Sequence, residues 1–331
     1  MNRKKFISSS FASIIGLSAF GMIQCNKLNL PRKPLKKISS IDSSNSDLFK
    51  LSLAQWSIHQ QIENGTTSPF EFASIAKKWG FSGLEYVNDL YNIREGKNVK
   101  QKLDNFIKIS NEKASQFDLE NLIIMVDEEG DLSIKSKSKR KKHISNHFKW
   151  IDAAVAMKCH SVRINLFGVN NPDAWKEYSK ESLLKICEYA IDKKINILVE
   201  NHGYLSSNAS LLMEVINDIN MTNCGTLPDF GNFCLGRVGG DRWDTACIEE
   251  YDKYKGVKEL LPKAFAVSAK SYDFDNLGNE TSIDYLKMLQ MVKDSGYRGY
   301  IGIEYEGERL SEMEGSIATK NLITSTIPKL S

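Results

Sequence analysis

ILVENHG (197–203), GTLPDFGN (225–232), AFAVSAKS (264–271) and YIGIEYEG (300–307) share one layout: an apolar run that stops at a polar residue. Short apolar runs without alternation suit strands covered on both faces, the mark of a parallel sheet. Their closing residues, Glu200, Asp229, Lys270 and Glu304, then emerge together at one rim of that sheet. Working back toward the N-terminus, LSLAQWSIH (51–59), GLEYVN (83–88), NLIIMV (121–126) and SVRINL (161–166) read as four earlier strands, which makes eight. Helical patterns are predicted between them over 69–79, 99–115, 144–157, 181–192, 209–219, 248–261 and 283–295, with a last one over 316–324. Ser68 caps the first and Gly80 stops it.

This rhythm over roughly 280 residues predicts an α/β fold, a single-domain (β/α)8 TIM barrel, whose active sites gather at the C-terminal ends of the strands. An open doubly wound sheet is the runner-up. It is weakened because no GxGxxG follows the first strand, which also argues against a nucleotide cofactor.

The barrel is expected over 48–331. Residues 1–25 have a basic start (Arg3, Lys4, Lys5), an apolar stretch and Cys25, the layout of an export signal with Cys25 as a site for a lipid anchor, although Gln24 departs from the small residue preferred there. Residues 26–47 are rich in Lys, Ser, Pro and Asn and read as a tether. The expectation is an exported protein in the periplasm, cell envelope or outside the cell, touching membrane only through that anchor.

The 331-residue chain has formal charge +3, but residues 1–37 hold eight basic residues and no acidic one, so the remainder carries about −5. That balance excludes a general nucleic-acid binder. The local run KSKSKRKK (135–142) is expected to be a solvated surface preceding a helix. The six cysteines show no CxxC pair, and Cys159 and Cys187 read as core thiols.

Glu200, Asp229 and Glu304 on consecutive strands would repel one another unless a cation relieves them, which points to a divalent metal. Trp56 and His59 after the first strand, Glu85 and Asn88 on the second, and Arg163 and Asn165 on the fourth face the same rim. Aromatic faces beside fixed donors and acceptors suit a polyhydroxylated ring, so the expected partner is a small carbohydrate. His143 and His147 lie by the basic run, and His160 precedes its strand, so all three fall away from the rim.

The ENHG, PDFGN and IEYEG motifs resemble those of the xylose-isomerase-like TIM-barrel superfamily, over about residues 50–325. The resemblance implies one divalent metal held by Glu, Asp, His and Glu, with the two glutamates as acid and base. Glu200, Asp229 and Glu304 match three of those ligands. Ser268 stands where the His is usual, and an all-oxygen set favours Mn²⁺, Mg²⁺ or Ca²⁺ over zinc. His202, Asn232, Ser268 and Lys270 are expected to face substrate. The implied activity is that of a sugar isomerase or epimerase, abstracting a proton next to a carbonyl through a metal-stabilised enediolate. A lyase or hydratase of 3-keto-glycosides and a noncatalytic carbohydrate-binding barrel are the alternatives.

Overall fold

The computed structural model describes residues 48–94 and 96–331. The export-signal, tether and Cys25 readings fall outside the described residues. The barrel strands are β1 (Lys50–Ala54), β2 (Gly83–Val87), β3 (Glu120–Met125), β4 (Ser161–Ile164), β5 (Asn196–Glu200), β6 (Cys224–Leu227), β9 (Val267–Ser271) and β10 (Tyr300–Tyr305). They lie in the order β6-β5-β4-β3-β2-β1-β10-β9, every neighbour pair parallel. The circle closes between β6 and β9 through isolated parallel bridges, Thr226 with Ala264 and Asp229 with Ser268. Pro228 has no N–H to donate and interrupts the ladder, while its carbonyl still accepts from the Ser268 N–H at 2.9 Å. That closure sets Asp229 directly beside Ser268.

Helices α1 (His59–Glu63), α2 (Phe72–Trp79), α3 (Val99–Gln116), α4 (Lys137–Ala156), α5 (Pro172–Ile191), α6 (Ala209–Ile219), α7 (Lys253–Leu260), α8 (Tyr285–Asp294) and α9 (Glu312–Thr326) follow the strands. The core is therefore double: the barrel interior, and the layer where helices press on it. Strand β2 is buried at every position, Glu85 included, whose carboxyl is met inside the barrel by Ser52.

Two elements differ from expectation. The basic run does not precede a helix but forms the first turns of α4, where Lys137, Lys139, Lys141 and Lys142 are exposed and Arg140 is buried against Glu181 and the Ile134 carbonyl. The span 248–261 is not one helix. Its first residues belong to an antiparallel hairpin, β7 (Cys234–Arg237) with β8 (Cys247–Glu250), and α7 starts only after Asp252 caps it. A disulfide joins Cys234 to Cys247, and that tether holds an exposed segment in a strand although helical spacing is present. Cys159, Cys187 and Cys224 are free and buried.

Candidate functional site

At the C-terminal rim the predicted residues meet around two buried cations. Lys270, fully buried on β9, places its Nζ 2.7 Å from Glu304 Oε1, 3.0 Å from Glu306 Oε2 and 3.9 Å from Asp229 Oδ2. Arg163, on β4, sets Nη1 2.7 Å from Asp127 Oδ1 and Nε 2.9 Å from Glu200 Oε2. The angle of the second contact is outside the hydrogen-bond range, so Glu200 Oε2 is held by charge while making no hydrogen bond among the described residues.

Short polar links join the two halves. Asn232 Nδ2 donates to Glu200 Oε1 at 3.0 Å, and the backbone N–H groups of Gly231 and Asn232 donate to Asp229 Oδ1, each at 2.8 Å. Ser268 Oγ donates to Asp229 Oδ2 at 2.7 Å. Asn165 Nδ2 donates to Asp127 Oδ1 at 2.6 Å, and Asn165 Oδ1 lies 2.8 Å from His202 Nδ1. Asn88 positions Asp127 by pairing with its backbone N–H and carbonyl. Glu85 sits deeper inside the barrel, accepting from Ser52 Oγ at 2.6 Å. Gly302 makes room for it, since a Cβ there would stand 2.5 Å from Glu85 Oε1. Trp56 and His59 stack with centroids 4.2 Å apart, and His59 also lies 3.7 Å from Glu312 Oε1 on α9. His143 and His147 instead bind main-chain carbonyls of Asp131 and His143, and His160 contacts Ser161.

Burial and charge act against each other here. Burial pushes the Glu304 carboxyl up to about 8, with Lys270 opposing and Glu200, Glu306 and Asp229 adding to the rise. Asp229 is pushed up to about 6 by burial against the pull of Lys270. Burial works on Lys270 in the downward direction, yet Glu304, Glu306 and Asp229 outweigh it and hold the ammonium well above the usual lysine range. Desolvation pushes the half-buried Glu306 and Asp127 up, but Lys270 and Arg163 respectively outweigh it and bring them below the ordinary carboxylate range. Burial also lowers His202. The cluster thus holds two fixed cations, and Glu304 is its proton carrier near neutrality.

The donor set does not fit the expected divalent ion. Among the described residues no three His, Cys, Asp or Glu side chains converge as a metal-binding group. Lys270 already lies among Glu304, Glu306 and Asp229, and a divalent cation there would face an ammonium with no acceptor to offer. Both Asp229 oxygens already accept hydrogen bonds. The three residues expected to hold the metal, Glu200, Asp229 and Glu304, here have Arg163 and Lys270 as their counter-charges. Protein loaded with Mn²⁺, Mg²⁺ or Zn²⁺ and then dialysed is expected to keep substoichiometric metal by plasma mass spectrometry; one equivalent retained would restore the metal reading.

Residues 73–324 match the family model described as Xylose isomerase-like TIM barrel. The chain belongs to that family. A stretch of 55 residues is 36% identical to the C-glycoside deglycosidase alpha subunit of Arthrobacter globiformis, covering 17% of this chain and 16% of that relative's length. Among solved structures, the 3-keto-D-glucoside 4-epimerase of E. coli superposes with TM-score 0.60 at 12% identity, over 78% of this chain and 94% of its own. A xylose isomerase-like TIM barrel protein from Mycobacterium smegmatis, in complex with magnesium, gives TM-score 0.59 at 13% identity, over 86% of this chain and 98% of its own. At such identity these structures share the fold.

Asp127 and Glu306 also belong to the charge cluster, and Phe167, Arg242 and Trp243 pack beside His202 at its edge; none of the five was singled out from the sequence. Asp127 closes NLIIMVD just as Glu200 closes ILVE, and Glu306 follows Glu304 at the spacing that returns to the same face of a strand. The other three have no such local signal.

Proposed function

We propose that the protein is an enzyme acting on a carbohydrate, moving a proton at a carbon next to a carbonyl in the manner of a sugar isomerase or epimerase. The supporting observation is the pair of unlike buried carboxylates on one rim: Glu200, ion-paired to Arg163 with Oε2 free of hydrogen bonds, and Glu304, which holds its proton near neutrality. Glu200 takes the C–H proton. Glu304 donates its proton to the carbonyl oxygen, which leaves a neutral enediol. Return of the Glu200 proton to the former carbonyl carbon, with the Glu304 carboxylate taking the proton from the hydroxyl on the other carbon, gives isomerisation; for epimerisation Glu304 instead keeps its proton through the first step and delivers it to the same carbon of the enediolate from the opposite face. Lys270 is a positioning residue that keeps Glu304 and Glu306 in place. The family membership and the similarity to an epimerase of a keto-glucoside support the carbohydrate class.

A second reading, elimination of a group β to the carbonyl of a 3-keto-glycoside, is favoured by the stretch shared with a C-glycoside deglycosidase subunit. It uses the same C–H abstraction by Glu200, with Glu304 keeping its proton for the leaving group instead of giving it to the carbonyl oxygen. The Cys234–Cys247 disulfide supports export, since disulfides persist in oxidising compartments.

Free, phosphorylated and 3-keto sugars incubated with the protein in D₂O and followed by NMR test these readings. Deuterium at one carbon with a new epimer or ketose supports the first, and a released aglycone the second. Sugars that bind without any exchange would reduce the protein to a binder. For the active substrate, kcat/KM is expected to fall above pH about 8, where Glu304 loses its proton and can no longer act as the acid.

A further inference from the structure

After β6 the chain leaves the barrel, makes the β7–β8 hairpin and returns to form α7. The hairpin has little core of its own: β8 is exposed at every position. Two-stranded ribbons are marginal alone, and this one is fastened at several points. The Cys234–Cys247 disulfide crosses between its two strands, and Arg237 Nη1 donates to the Thr245 carbonyl at 2.6 Å. Asp241 Oδ1 organises the tip by accepting the N–H groups of Trp243 and Asp244. The tip is then tied to the barrel rim, where Tyr204 donates to the Asp241 carbonyl and Arg242 Nη2 bonds Asp131 Oδ2 at 2.9 Å.

These ties hold an aromatic wall in place. The Arg242 guanidinium lies 4.5 Å over the Phe167 ring. Trp243 meets Phe167 edge-on at 5.4 Å and His202 at 4.8 Å between centroids, and all three rings are half-buried. His202 bonds Asn165, Asn165 bonds Asp127, and Asp127 pairs with the arginine that holds Glu200. Along that chain of contacts Trp243 is one ring farther from the carboxylates than His202. A sugar carbon between Glu200 and Glu304 occupies the inner position, so a ring stacked on Trp243 is a second ring.

We propose that the stapled hairpin builds an outer subsite in which Trp243, supported by Phe167 and Arg242, holds a second ring joined to the reacting sugar. The substrate class is then a glycoside, a disaccharide or an aryl glycoside, and not a free monosaccharide. This rests on the carbohydrate reading above. Flat C–H or aromatic faces stack on indole, and a wall fixed before binding loses less freedom when it is used.

Isothermal titration of the full-length protein with cellobiose, 4-nitrophenyl β-glucoside and glucose tests the subsite on the wild type, Trp243→Ala, Trp243→Phe and the paired Cys234→Ser/Cys247→Ser variant. The wild type is expected to bind one or both glycosides about tenfold more tightly than glucose, with the two glycosides separating a sugar from an aryl second ring. Trp243→Ala removes that advantage and leaves glucose affinity unchanged, Trp243→Phe keeps most of it, and the paired cysteine variant loses it in part. Circular dichroism on each variant confirms the fold. Equal weakening of glucose and glycosides, or no glycoside loss in Trp243→Ala, overturns the subsite and leaves the carbohydrate reading standing. A wild type that binds none of the three probes overturns both.

Discussion

Glu304→Gln is expected to lower turnover by roughly 10²–10⁴-fold, the range that a positioned acid or base contributes. The amide matches the carboxyl in size, and its oxygen can still accept from Lys270 Nζ, 2.7 Å away in the native cluster, so the fold should survive. It cannot release a proton, and the fall in kcat/KM above pH about 8 should vanish along with the rate. Glu200→Gln should produce a similar loss through the other half of the transfer, with some instability because Arg163 then keeps Asp127 alone as a close ion-pair partner among the described residues. Exchange of solvent deuterium into substrate is the readout. An unchanged exchange rate in either variant would take that residue out of the acid–base pair.

Lys270→Met is expected to destabilise the protein by about 3–5 kcal/mol near pH 8, the usual consequence of removing one partner of a buried ion pair. Methionine fills similar space, so the loss comes from charge: Glu304, Glu306 and Asp229 would share a buried pocket with no ammonium. The native Lys270 is raised, so its stabilisation is complete below the unfolded-state value of 10.5 and fades only as pH climbs above it. In the variant Glu306 loses the ammonium that holds it low and rises above its unfolded value, and Glu304 and Asp229, already above theirs in the native protein, rise further as the carboxyls regain neutrality by holding protons. The folded state then binds more protons above pH about 4.5, and stability falls as pH rises from there toward 8. Urea unfolding at pH 5 and pH 8 should show a small deficit at the first and a large one at the second. The emptied cage should also accept Mn²⁺, seen as a rise in melting temperature when the ion is added. An equal deficit at both pH values would show that Lys270 is not the countercharge of the cluster.

The barrel was legible in the residues because each strand buried on both faces must be an apolar run, and that is a property of neighbours in sequence. The same rule put Glu200 and Glu304 at strand ends. Applied evenly, it would have found Asp127, which closes its own apolar run. Local spacing misled at 248–261, where helical periodicity continued into residues that the disulfide holds as a strand.

By itself the sequence determined the eight-stranded barrel and the gathering of carboxylates on one rim, since both follow from hydrophobic patterning along the chain. Only the tertiary structure decided what neutralises them. Lys270 reads in sequence as one polar strand residue among several, and its role appears when β9 is laid beside β10 and bridged to Asp229 across the closure. The aromatic wall likewise exists only after the hairpin has folded back over the rim. Charge pairing and ring packing depend on distances between residues far apart in the chain, and periodicity carries no record of those distances.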